Sequence, residues 1–185
     1  AQHEDLDVFV LGGIPGETVT AEILRIYRRY MTAQVVQVID RSEYRTDPPC
    51  PYYGDCTGCQ WQHVKYSEQL NSKHRRVSDA LGRIAGLFNQ NIHPVIPSPN
   101  EYEYRNHARF TVGPSGSLGF VNRETRQFVK IDSCMLMHKK INDILGQLQG
   151  HCIETTQLAI RAGKYTGDFL IQPFLLNLIV DFYHL

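Results

Sequence analysis

Cys50-Pro51-Tyr52-Tyr53-Gly54-Asp55-Cys56-Thr57-Gly58-Cys59 is the stretch on which the reading of this chain turns. It puts three thiols into ten residues as C-x5-C-x2-C, and a fourth, Cys134, follows far downstream in KIDSCMLMH. Proline breaks regular structure and the two glycines permit sharp turns, so the loop can bend its thiols around one centre. Cys134 would then staple that loop to the middle of the chain. Four thiolates suit an iron–sulfur cube or a tetrahedral structural zinc, and spacing does not separate the two. A redox pair at Cys56 and Cys59 is a poorer fit, because the following Q-W-Q opens no helix of the thioredoxin type. His63 and His138 stand near enough in sequence to compete as ligands, although a surface or core role is commoner for such residues. Cys152 has no clustered partner and reads as a buried free thiol.

The 185 residues suit one or two domains, and a hydrophobic content of 42% is enough for one core or two small ones. Lys plus Arg equals Asp plus Glu at 19 each, so net charge gives no sign of a nucleic-acid partner. Local charge is less even. Five Lys/Arg face two acidic residues between Lys65 and Arg83, and Arg25, Arg28, Arg29, Arg41 and Arg45 lie close together in sequence. Such patches can meet a polyanion even in a neutral protein, or can be solvated faces. No apolar run reaches membrane-spanning length and no signal-peptide pattern is visible. Clustered cysteines without an export signal favour a ligand set in a reducing cytoplasm over disulfides.

The first 45 residues read as strands: VFVLGG into a glycine turn, the tight GIPGE loop, then TVTAEILRIY and TAQVVQVI. This is most of a small β-barrel whose first strand is absent. Ala1 opens the chain with neither an initiator methionine nor a leader, as an excised segment would. After the cysteine loop, Leu70, Val77, Leu81, Ile84 and Phe88 recur at helical intervals and predict a helix from about Ser67 to Phe88. RNHARFTV, SLGFVN and QFVKID predict a three-strand meander ending beside Cys134. A second helix is expected from Lys139 to Leu148, and TQLAIRA with DFLIQ as a hairpin across GKYTG. The tail LLNLIVDFYHL is apolar and uncapped. The fold class expected is therefore α+β, with an antiparallel sheet in the second part.

The decapeptide continues Q-W-Q-H-V-K-Y-S-E-Q-L-N-S-K, and the whole segment closely resembles the iron–sulfur region of the RNA uracil-5-methyltransferases. That family carries C-x5-C-G-G-C, then Q-H, then Y-x-x-Q-L and a lysine. Here Gln62-His63, Tyr66, Gln69-Leu70 and Lys73 stand at those places, with Thr57 in place of the first glycine. VFVLGGIPGETV resembles the start of the family's TRAM domain, an OB-like barrel that binds RNA. YRNHARF resembles the central Y-R-N-K segment, with His107 where lysine is common. GFVNRETRQFVKIDSC resembles the approach to the fourth cysteine. The likeness covers most of residues 8 to 170 and fails in the last fifteen.

The resemblance implies a partial TRAM-like RNA-binding domain over residues 1–46 and an iron–sulfur central domain over 47–185. It implies a [4Fe–4S] cluster on Cys50, Cys56, Cys59 and Cys134, with zinc as the alternative metal. In this family a cysteine thiolate adds to C6 of uridine, C5 takes the methyl group of S-adenosylmethionine, and an acidic residue removes the C5 proton. The target base must also leave its stack. No glycine-rich loop after a parallel strand is present here, and Cys152 does not match the catalytic motif. The methyl-donor site and catalytic groups are therefore expected in a missing C-terminal methyltransferase domain, and this chain alone is expected to be inactive. Its expected work is to hold ribosomal or transfer RNA. Lys73, Arg75, Arg76, Arg105 and Arg109 are the candidate phosphate contacts, and Tyr52, Tyr53 and Trp61 either stack on bases or shield the cluster. The rival readings are a zinc-stabilised RNA- or protein-binding module without catalytic activity, and a ferredoxin-like carrier, for which a large β domain is superfluous.

Overall fold

The computed structural model describes residues 1–175 and divides them into two compact units. One joins Ala1–Pro49 to Gln60–Pro97; the other joins Cys50–Cys59 to the described residues from Ser98 on. The expected tail beginning at Leu175 lies outside the described residues except for Leu175 itself.

The first unit opens with a curled four-stranded sheet of β1 (Gln2–His3), β2 (Leu6–Leu11), β3 (Thr18–Ile26) and β4 (Tyr30–Asp40) in the order β1-β2-β4-β3. β2 runs parallel to β4, and β3 pairs antiparallel with β4. This half-open, OB-like sheet is what the alternating apolar pattern demanded. Leu6, Val8 and Val10 turn inward while Asp7, Phe9 and Leu11 are exposed. Three register shifts along β3–β4 supply the curl. Buried apolar side chains are few in this unit: Ile14, Met31 and Ala33.

A polar clamp therefore matters in this unit. Arg45 donates from Nε to Glu17 Oε1 (2.5 Å), and from Nη2 to Glu17 Oε2 (2.6 Å) and the Gly12 carbonyl (2.7 Å). The Glu17 carboxylate also accepts from the N–H groups of Ile14 and Ser42. Its pKa falls from 4.5 to about 2, mainly through the Arg45 hydrogen bonds, against the opposing effect of burial.

Helix α1 spans Tyr66–Arg83, shorter than the Ser67–Phe88 expected from periodicity. It stops because Gly86, at φ +68°, takes a left-handed turn and donates its N–H to the Gly82 carbonyl (3.1 Å). Phe88 consequently lies beyond the helix, its ring so close to Gly82 that a Cβ there would stand 3.2 Å from it. The helical stripe is also less buried than its spacing suggests, with Val77 at 49% and Ile84 at 86% exposure.

The second unit is a five-stranded antiparallel sheet in the order β7-β6-β5-β8-β9. Its strands are β5 (His107–Val112), β6 (Leu118–Val121), β7 (Phe128–Lys130), β8 (Thr155–Ala162) and β9 (Phe169–Leu175). The expected meander is β5–β6–β7 and the expected hairpin is β8–β9. Helix α2 (Lys139–Leu148) buries Ile141, Ile144 and Leu145 in a core with Phe110, Leu118 and Ile160. Burial of such side chains contributes roughly 1.5–3 kcal/mol each and accounts for the unit's cohesion. Among the described residues, no helix is long and apolar enough to cross a membrane.

Candidate functional site

The loop Cys50–Cys59 is wound by its own backbone. Tyr53 N donates to the Cys50 carbonyl (3.1 Å) and Cys56 N to the Tyr52 carbonyl (2.7 Å). Gly54 makes the turn between them at φ +97°. Three side-chain links then tie this loop to the sheet. Tyr52 Oη donates to Asp132 Oδ2 (3.2 Å) and accepts from Asp132 N (3.1 Å). Asn122 Nδ2 donates to the Asp55 carbonyl (2.8 Å), and Arg123 N donates to Thr57 Oγ1 (2.9 Å).

Asn122 is a buried pivot. Its Oδ1 accepts from Glu124 N and Thr125 N, shaping the β6–β7 turn while its amide holds the cysteine loop. Nothing in its local spacing announced this role, because the Asp55 carbonyl is 67 residues away in sequence. Thr57, the departure from C-G-G-C, acquires a purpose: its hydroxyl accepts a bond that a glycine could not.

Cys134 is fixed from the other side. Asn142 on α2 accepts from Cys134 N (2.9 Å) and donates to the Cys134 carbonyl (3.1 Å). His138 caps α2, its Nδ1 accepting from Lys140 N (3.3 Å), so its role here is structural.

All four cysteines are half-buried and none forms a disulfide. Cys56 and Cys134 pack against the hydrophobic core. The Cys56 thiol is pushed up from its ordinary pKa, first by burial and further by the charges of Cys134 and Cys50; the Gly58 N–H and Arg105 pull the other way. Cys50 and Cys134 thus each act on Cys56, and Cys59 closes the same decapeptide. A Cβ at Gly58 would stand 3.4 Å from Cys56 Sγ, so the glycine leaves that space open. A thiolate brought near others binds its proton more tightly unless a cation offsets the charge. Among the described residues, no three His, Cys, Asp or Glu side chains draw together into a group able to hold a metal ion. The four thiols are donors of the type that metals take, and among the described residues they form no closed ligand shell.

The other sequence candidates are dispersed. His63 is buried in the first unit, its pKa lowered by burial and then by Arg45, which keeps the imidazole neutral. Gln69 of the Y-x-x-Q-L motif donates its amide to the carbonyls of Trp61 (3.1 Å) and Val64 (2.9 Å), fixing the segment after the cysteines. Tyr52 acts as a tether. Cys152 is buried, bonded to the Leu148 carbonyl, and raised in pKa by burial, as an inert core thiol should be.

Lys73, Arg75 and Arg76 are exposed on α1 of the first unit, but Arg75 is engaged by Glu68 and by Ser72 Oγ. In the second unit Arg105 is half-buried, with its guanidinium 5.9 Å from the Tyr104 ring centre. Arg109 projects from the exposed side of β5 and lies 4.6 Å over the Phe174 ring. Each unit therefore carries part of the expected cationic set.

No family model matches the chain. Over 155 residues, 82% of its length, it is 32% identical to an uncharacterized RNA methyltransferase of Bacillus cereus, of which it covers 34%. It is 28% identical over 188 residues to one of Gloeobacter violaceus, covering 92% of this chain and 41% of that protein. An uncharacterized RNA methyltransferase of Aquifex aeolicus is 34% identical over 142 residues, 77% of this chain and 33% of that protein. Among solved structures, Pyrococcus abyssi tRNA (uracil-54, C5)-methyltransferase in complex with S-adenosyl-L-homocysteine superposes with a TM-score of 0.64. That match covers 90% of this chain and 41% of the other at 21% identity, a likeness of fold.

Proposed function

Since the chain is related by sequence to the RNA methyltransferase family and spans about a third of the length of such relatives, we propose that it is the RNA-holding and iron–sulfur portion of an S-adenosylmethionine-dependent enzyme. The parent enzyme makes 5-methyluridine in ribosomal or transfer RNA. Residues 1–46 form a TRAM-like RNA-binding domain and residues 47–185 the cluster-bearing domain, and the methyl-donor site and catalytic groups reside elsewhere in the parent protein. A reducing cytoplasm suits its thiols.

The observation that carries this reading is the tethering of the cysteine decapeptide to the β6–β7 turn by Asn122 and Thr57. It holds Cys50, Cys56 and Cys59 in the same unit as Cys134, which supports one bound centre. Cys50, Cys56, Cys59 and Cys134 would hold a [4Fe–4S] cluster, whose contribution is a cross-link between the loop and the segment before α2. Lys73, Arg75, Arg76, Arg105 and Arg109 position RNA through its phosphates.

Anaerobic purification followed by iron, sulfide and zinc quantification tests the proposal. We expect about four iron and about four sulfide per chain. Stoichiometric zinc with neither iron nor sulfide would replace the cluster with a structural zinc site.

A further inference from the structure

We propose that the tip of the β3–β4 hairpin and the adjoining part of β2 form a base-stacking platform for single-stranded RNA, built from Phe9, Tyr27 and Tyr30. The inference rests on the RNA-holding reading and assigns a surface to it. The Tyr27 N–H donates to the Tyr30 carbonyl (2.8 Å), closing a tight turn around Arg28 and Arg29. The two tyrosine rings stack at 4.5 Å and 22°, and Phe9 meets Tyr30 edge-on at 5.4 Å and 83°.

Register explains why the rings share a side. Phe9 and Arg25 both pair with Thr32, and Tyr30 pairs with Asp7, two residues from Phe9. These outward positions alternate with the inward Val8, Met31 and Ala33. The aromatic cluster is thus ordered by its own contacts while remaining accessible, with Phe9 58%, Tyr27 40% and Tyr30 37% exposed. Every base has a face that such rings can take without regard to sequence.

Charge selects the occupant. From Ile23 to Ala33 the chain holds Arg25, Arg28 and Arg29 and no Asp or Glu. The nearest carboxylates in register are Asp7, opposite Tyr30, and Glu22, opposite Gln34. Stacked aromatics framed by arginines match a strand of bases joined by phosphates.

The test is fluorescence anisotropy of a labelled single-stranded oligouridylate with the full chain, its Y27A/Y30A and F9A variants, and R28Q/R29Q. Thermal melts verify that each variant folds. The platform predicts that Y27A/Y30A binds roughly tenfold or more weakly. R28Q/R29Q should flatten the slope of log affinity against log salt by about 0.7 for each phosphate that is no longer neutralised. Photocrosslinking of a 5-iodouridine oligonucleotide to the wild-type chain needs no variant, and should map to peptides holding Phe9, Tyr27 or Tyr30. Wild-type binding with unchanged aromatic variants and crosslinks only elsewhere overturns the platform and leaves the RNA-holding reading intact. A wild-type chain that binds no RNA overturns both. A dimer that RNA does not disperse, with Tyr27 and Tyr30 protected in it, gives the face to a second copy and overturns the platform.

Discussion

Glu17 anchors a polar clamp in the first unit, where buried apolar side chains are few. Its carboxylate is held by Arg45 and two backbone N–H groups, and its folded pKa of about 2 lies below the ordinary 4.5. A depressed carboxyl pKa contributes stability that is whole above about pH 4.5 and lost as pH falls through the folded value. The difference is on the order of 3 kcal/mol. Trp61, the only tryptophan, sits in the same unit and reports on it. Urea melts followed by its fluorescence should weaken progressively across that acid window in the wild type, and E17Q should remove most of the dependence. This pair was hidden in the sequence, where Arg45 read as one member of a basic cluster. A partner 28 residues away in an acidic loop position leaves no local signature. Asn122 was hidden for the same reason, whereas Cys50, Cys56, Cys59 and Cys134 stood out as candidates because thiol spacing is itself a pattern.

Periodicity located nearly every described strand and helix, since alternation and the 3.6-residue repeat are imprinted directly on side-chain order. Helix α2 coincides with its expected span from Lys139 to Leu148, and its buried residues are those of the apolar stripe. Helix α1 was overextended because Ile84 and Phe88 continue the repeat while Gly86 ends it. Backbone conformation outweighed hydrophobic spacing there. G86A forces a side chain into the left-handed turn at φ +68° and should cost roughly 1 kcal/mol. Thermal denaturation of the variant checks this, and an unchanged melt would argue against the left-handed stop. Exposure of Val77 was equally illegible, because the repeat tells which residues share a face and not whether anything covers it.

The whole molecule is two units joined through a chain that passes from one to the other at Pro49, returns at Gln60 and leaves again after Pro97. A linear reading places the cysteines at the start of a second domain. Compactness puts Cys50–Cys59 with the described residues from Ser98 on and leaves the following helix in the unit of the first β-sheet. The loop is thus an excursion, stitched to its unit by Tyr52, Asn122 and Thr57, and under the proposed function by a cluster as well. Cys152, buried and inert in the same unit, is the internal control. The most direct test is Mössbauer spectroscopy of the anaerobically iron-loaded chain beside C134A and C152A. A four-iron signature is expected in the wild type and in C152A, with its loss or conversion in C134A. An unaltered signature in C134A, or no cluster signal in any of the three under anaerobic loading, would contradict the four-cysteine site.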